Sequence, residues 1–209
     1  RWGTGLTYRC CSAITRWSTW RGGLVAEVTP LAAIDGVLVV DPVVHVDDRG
    51  LFVETWRQEW LGDVPPMVQG NRADRVAGTV VGLHYHLQQA DYWVVVAGRA
   101  RVVLHDLRAG SPTDGATLEI DLGGDGPEQH RGVYIPPGVA HGFAALTDLT
   151  LTYLVDGTYD PSDELGVAWD DPAVGADWGV TRPMLSERDL ANRARADLAD
   201  DFRPVYGER

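Results

Sequence analysis

From Val25 onward, Gly, Pro and Asp clusters cut the chain at short intervals, and the runs between them are a few residues long and rich in Val, Leu, Tyr and Trp. Runs this short and this rich in strand-forming residues dictate many strands. Candidates are Gly36–Val40, Val43–Val46, Leu51–Thr55, Thr79–His86, Tyr92–Ala97, Arg101–Asp106, Thr117–Asp121, Gly132–Ile135, Gly142–Leu146 and Thr150–Val155. Tyr92–Asp106 reads as an apolar run, an Ala97-Gly98-Arg99 turn and a second run from Arg101, which is a hairpin. Hairpins so closely spaced, without intervening helices, predict an antiparallel sandwich or barrel instead of βαβ units. Helical signal comes only late. Ser186 followed by Glu187, Arg188 and Asp189 caps a run to about Asp200 with Leu190, Ala194 and Leu198 at helical spacing.

A chain of 209 residues with 44% hydrophobic content suits one core and one domain. Residues 1–24 are rich in Arg and Trp and read as a non-core extension, leaving 25–209 as the domain. The net charge of -12 opposes non-specific binding to nucleic acid or to an anionic membrane, so neither is an expected partner. All 18 basic side chains are arginines, which excludes Schiff-base lysine chemistry and the lysine of a phosphate-binding P-loop. Cys10 and Cys11 are adjacent and suggest no disulfide scaffold. No apolar run approaches transmembrane length or matches a signal peptide, so a cytoplasmic location is expected.

Two groups of residues carry chemistry. Gly78, His84-Tyr85-His86, Asp91 and Gly98, followed by Pro136-Pro137-Gly138 and His141, resemble the two cupin motifs, with Asp91 in place of the usual Glu. That resemblance implies an all-β double-stranded β-helix (a cupin or jelly-roll barrel), here with a short C-terminal helix. His84 and His86 are two apart, so on a strand both face the barrel mouth. In a metal-dependent cupin, His84, His86, Asp91 and His141 would supply three imidazoles and a carboxylate, suited to Zn, Fe, Mn or Ni.

The second group is more particular and runs from about Ile34 to Ala191. Asp48-Arg49-Gly50-Leu51-Phe52-Val53-Glu54 resembles a signature of the dTDP-4-dehydrorhamnose 3,5-epimerases. Gln69-Gly70-Asn71, Gly82-Leu83-His84-Tyr85, Asp106-Leu107-Arg108 with Ser111-Pro112-Thr113, and His141-Gly142-Phe143 follow in the family's order. So do Tyr153, Tyr159-Asp160-Pro161, Glu164, Trp169-Asp170-Asp171-Pro172, Trp178, and Leu185-Ser186 with Asp189. The resemblance implies an isomerase acting on a nucleoside-diphosphate 4-keto-6-deoxy sugar at C3, C5 or both, a homodimer, and no cofactor or metal.

That chemistry is intelligible from the residues. Protons on carbons beside a ketone are acidified through an enolate, so a base on one face and an acid on the other invert the centre. His84 suits the base, Asp189 would orient its ring, and Tyr153 would return the proton. By the family's pattern Arg49, Glu54, Gln69 and Asn71 would contact the nucleotide and its pyrophosphate. Tyr159 would shape the sugar pocket, and His141 would be a pocket hydrogen-bonding residue or a metal ligand. The sequence also departs from the pattern. Val81 stands for an Arg, His86 for a Gln, Trp93 for a Lys and Val102 for an acidic residue. A preorganised cation beside a developing enolate is worth on the order of 3 kcal/mol. Two rivals therefore accompany the epimerase reading: the metal-dependent cupin and an inactive sugar-nucleotide binder.

Overall fold

The computed structural model describes residues 16–20, 23–125, 129–199 and 202–207. Fourteen strands follow one another along them. The first seven are β1 (Arg16–Trp20), β2 (Gly23–Pro30), β3 (Leu38–Pro42), β4 (Val44–Asp47), β5 (Gly50–Val53), β6 (Gln69–Arg75) and β7 (Val80–Tyr85). The others are β8 (Asp91–Ala97), β9 (Arg99–Asp106), β10 (Thr117–Gly123), β11 (Gly132–Ile135), β12 (Val139–Ala145), β13 (Leu149–Val155) and β14 (Leu165–Gly166). Two single-turn helices, α1 (Gln58–Leu61) and α2 (Glu187–Leu190), complete the set with a short 3-10 turn at Arg195–Asp197.

One sheet has seven strands in the order β1-β2-β3-β11-β8-β13-β6, the other five in the order β10-β9-β12-β7-β14, and β4 pairs with β5 as a separate hairpin. Every pairing between these strands is antiparallel. This is the expected all-β cupin-type sandwich.

Its core lies between the sheets, where Trp93 and Val95 of β8, Leu104 of β9, Ile135 of β11, Phe143 of β12 and Leu151 of β13 pack together. The central strands are buried on both faces, which is why they read as continuous apolar runs instead of alternating ones. Behind the seven-stranded sheet, Tyr92 and Val94 are covered by Trp60 and Leu61 of α1. Behind the other, Leu83, Tyr85 and Val103 are covered by Val167, Val174 and Trp178. Among the described residues no helix is long and apolar enough to cross a membrane.

The structure departs from the sequence reading in several places, among them the strands Gly23–Pro30 and Leu165–Gly166, which lie outside the expected runs. Gln69–Arg75 is a strand, although its composition is polar, because it is the edge strand beside β13 and exposes Gly70, Arg72 and Asp74 on its outer face. Arg16–Trp20, within the segment read as a non-core extension, pairs with β2 at the other edge of that sheet; residues 1–15 of that segment lie outside the described residues. The late helix stops after one turn. Beyond it the backbone bonds to the barrel wall instead of to itself, with Ala168 N–H donating to the Arg193 carbonyl at 2.8 Å and Arg195 N–H to Asp171 Oδ2 at 2.6 Å.

The Asp106-Leu107-Arg108…Ser111-Pro112-Thr113 string is a buried polar lock at the turn after β9. Asp106, fully buried, accepts from the Arg108 backbone N–H and guanidinium and from the hydroxyls of Ser111 and Thr113. Arg108 also donates to the Asp35 carbonyl at 2.7 Å, tying the loop before β3 to the turn. Burial opposes ionisation of Asp106, but the hydrogen bonds from Arg108, Ser111 and Thr113 outweigh it and pull the carboxyl from 3.8 to about 2. Because the folded value is depressed, this contribution of about 2 kcal/mol is present above pH 4 and is lost as pH falls toward 2. Asp106→Asn should therefore cost about 3 kcal/mol in urea denaturation at pH 7. The gap from the parent should narrow as pH drops from 5 to 3, and a constant gap would show that ionisation of Asp106 is not its source.

Candidate active site

The site begins with a close approach of two strands. In the ladder between β7 and β12, His84 lies opposite His141, with an irregularity between His141 and Phe143. A Cβ on Gly82, whose φ is 107°, would stand 2.7 Å from the His141 carbonyl oxygen, and one on Gly142 would stand 2.4 Å from the Val81 carbonyl oxygen. Only glycine permits this spacing at both positions. Both imidazoles line the cavity on the side of the five-stranded sheet.

His84 is held from outside that sheet. Its Nε2 lies 2.6 Å from Oδ1 of Asp189, a buried residue of α2. The Ser186 hydroxyl donates to the other carboxylate oxygen at 2.8 Å while accepting from the Asp189 N–H at 3.1 Å. Ser186 thus caps the one-turn helix and fixes the carboxylate at once. Burial pushes the Asp189 carboxyl up, but hydrogen bonds from His84, Ser186 and the Gly82 backbone prevail and hold it below the usual carboxylate range.

The seven-stranded sheet supplies the facing wall. Tyr153 of β13 neighbours Asn71 of β6 on one side and Trp93 of β8 on the other. Burial, helped by the negative charges of Asp91 and Glu164, raises its phenol above the ordinary tyrosine value. It therefore keeps its proton at neutral pH. A cavity of about 220 Å³ separates the walls, lined by His84, His86 and His141 from one side and by Asp91, Trp93 and Tyr153 from the other.

Deep in this cavity His86, Asp91 and His141 are all buried, and their ligand atoms lie within 4.8 Å of one another. His86 Nδ1–H donates to the Asp163 carbonyl at 2.7 Å and His141 Nδ1–H to the Val139 carbonyl at 2.9 Å. Burial holds the His141 imidazole well below its ordinary value, against the pull of Asp91. Of the four residues a metal-dependent cupin would use, His84 stands apart, engaged by Asp189.

The other expected binding residues do not line the cavity. Arg49, its side chain 90% exposed on the β4–β5 hairpin, pairs with Asp47, and Glu54 pairs with Arg57. Gln69 donates to Asn71 at 3.0 Å and accepts from the Tyr159 backbone N–H at 3.2 Å, while the Tyr159 side chain is exposed. His141 does line it. The structure adds Arg75 of β6, Arg188 of α2 and Gln89, which sequence reasoning passed over. Arg188, adjacent to Asp189 in sequence, was the most findable. Its guanidinium pairs with the Glu164 carboxylate at 3.0 Å.

This architecture recurs in known proteins. A family model described as dTDP-4-dehydrorhamnose 3,5-epimerase matches residues 31–197. The chain is 34% identical to a dTDP-4-dehydrorhamnose 3,5-epimerase of Shigella flexneri over 177 residues, covering 81% of this chain and 96% of that protein. It is 38% identical to a dTDP-4-dehydrorhamnose 3-epimerase of Streptomyces niveus over 182 residues, 83% and 86% of the two. A crystal structure of a dTDP-6-deoxy-D-glucose-3,5-epimerase from Legionella pneumophila, in complex with dTDP-4-keto-L-rhamnose, superimposes with a TM-score of 0.80. Its identity is 30%, over 87% of this chain and 98% of that one. With the ordered motifs and the two-sheet cavity, these matches establish that the chain belongs to the dTDP-4-dehydrorhamnose 3,5-epimerase family of isomerases.

Proposed function

We propose that the chain epimerises a nucleoside-diphosphate 4-keto-6-deoxy sugar, of the dTDP-4-dehydrorhamnose type, in the cytoplasm, by proton transfer through an enolate. The observation that carries the assignment of roles is that His84 and Tyr153 stand on opposite sheets and line one cavity. A planar enolate between them presents one face to each. His84 takes the proton from the carbon beside the ketone, and the electron pair moves into the enolate. Asp189 offsets the charge of the resulting imidazolium. The Tyr153 phenol then gives its proton to the opposite face of the same carbon and regains one from solvent. Arg75 and Arg188 are the cationic side chains along the cavity and suit the anionic parts of such a substrate.

The reading of Arg49 and Glu54 as nucleotide contacts needs the hairpin to meet a substrate away from its own cavity. A homodimer would provide for that. The hairpin supports one through its exposed apolar side chains Val46, Leu51 and Phe52, the first 77% exposed.

Proton NMR of dTDP-4-keto-6-deoxyglucose in deuterated water tests the roles separately. His84→Ala should abolish both deuterium uptake and epimerisation, and Asp189→Asn should weaken both. In Tyr153→Phe the base remains, so wash-in should outlast inversion. General acid and base groups usually contribute about 10²–10⁴-fold, so the losses should be plain. A folded His84→Ala protein turning over at the parent's rate would sink the proposal. The assembly has its own check: sedimentation should give a dimer for the parent and a monomer for Phe52→Glu, and a monomeric parent would refute it.

A further inference from the structure

We propose that His86, Asp91 and His141 form a binding site for one divalent first-row transition-metal ion such as Zn²⁺, Fe²⁺ or Co²⁺. The inference is independent of the epimerase reading and turns on which atoms of the three side chains remain free. Each imidazole has its Nδ1–H committed to a backbone carbonyl, His86 to Asp163 at 2.7 Å and His141 to Val139 at 2.9 Å. The Nε2 atoms are thereby left as lone-pair donors. His141 Nε2 stands 3.9 Å from Asp91 Oδ2, too far for a hydrogen bond. The third group is a carboxylate, and the three ligand atoms lie together within 4.8 Å of one another.

Burying such groups without a positive partner is costly. The donors that reach Asp91 are neutral: the Trp93 indole N–H at 2.9 Å and the Gln89 amide at 3.0 Å. Those bonds do what outer partners do around a metal ligand, which is to fix its orientation while leaving a lone pair free. All three candidate ligands have one. The two ring centroids are 5.4 Å apart with planes tilted by 35°, so the imidazoles stand side by side at the cavity. Tetrahedral coordination with bonds of 2.0–2.1 Å puts ligand atoms roughly 3.4 Å apart, so atoms already within 4.8 Å need only small side-chain rotations to close on an ion.

Two imidazoles and one carboxylate suit borderline first-row ions, whereas Mg²⁺ and Ca²⁺ prefer an all-oxygen set. The open side of the triad faces the cavity, which leaves room for a water or another small oxygen ligand. His84 is not a ligand in this assignment, because Asp189 holds its Nε2.

The test uses the tag-free full chain, stripped with a chelator, dialysed, and titrated with Co²⁺ and then Zn²⁺ without substrate. Visible absorption, elemental analysis and X-ray absorption at the metal edge are the readouts. One equivalent should bind, with nitrogen and oxygen neighbours including imidazole and no sulfur. His86→Gln and Asp91→Asn should each weaken binding by at least about 100-fold, since loss of a mere outer partner typically costs 10–100-fold. His84→Asn should bind as the parent does. Circular dichroism establishes that each variant is folded, and a misfolded one is replaced by His141→Gln. Absence of stoichiometric uptake by the folded parent would overturn the proposal. So would sulfur in the coordination shell, parent-like affinity in both ligand variants, or loss of binding in His84→Asn.

Discussion

Burial of the central strands on both faces is the constraint from which the rest of this structure follows. Strand β12 is buried along its whole length, and β8 and β9 nearly so. Two sheets packed face to face satisfy only one side of each strand. The other sides must be covered by chain that is not itself sheet, and the segments flanking the barrel supply it, with Trp60 and Leu61 on one face and Val167, Val174 and Trp178 on the other. Burying each such large side chain contributes roughly 1.5–3 kcal/mol, so the coverings belong to the fold as firmly as the strands do. The C-terminal covering has a second consequence: as it crosses the five-stranded sheet it brings Asp189 to His84. Packing behind the barrel thereby positions a carboxylate at its mouth.

Electrostatics within the cavity divide it into two regions. Near the mouth, His84 is hydrogen-bonded to Asp189 and faces a phenol that burial keeps protonated. Deeper in, His86, His141 and Asp91 present lone pairs. Proton transfer suits the first region and cation binding the second. Both depend on β7 and β12 running closer together than side chains at Gly82 and Gly142 would allow.

Much of this was legible in the sequence, because turn chemistry and strand-forming runs are local signals. Strands β7 to β13 fall where the punctuation places them, with ends shifted by a few residues. Strand β6 was illegible because an edge strand carries one exposed face, and Gly70, Arg72 and Asp74 there look like loop. The late helix was over-read because helical spacing at Leu190, Ala194 and Leu198 says nothing of backbone bonds to Arg193 and Asp171 made across the barrel. His84, Tyr153 and Asp189 were named through the family resemblance, and their meeting in space is a tertiary fact that no spacing encodes. Arg75 and Arg188 escaped notice because an arginine in a polar stretch ordinarily faces water.

The motif residues also separate by physical role. Asp106, Arg108, Ser111 and Thr113 form one buried lock, and Asp171 and Trp178 hold the C-terminal covering through bonds to Ala173, Arg195 and the Trp169 carbonyl. These strings carry the fold. The departures from the family pattern have a different distribution. Val102 sits in the core between the sheets, but Val81, His86 and Trp93 all line the one cavity. In this chain these positions carry an aliphatic side chain, an imidazole, and an indole whose N–H is spent on Asp91. The cavity thus has a carboxylate and two imidazoles converging at His86, Asp91 and His141.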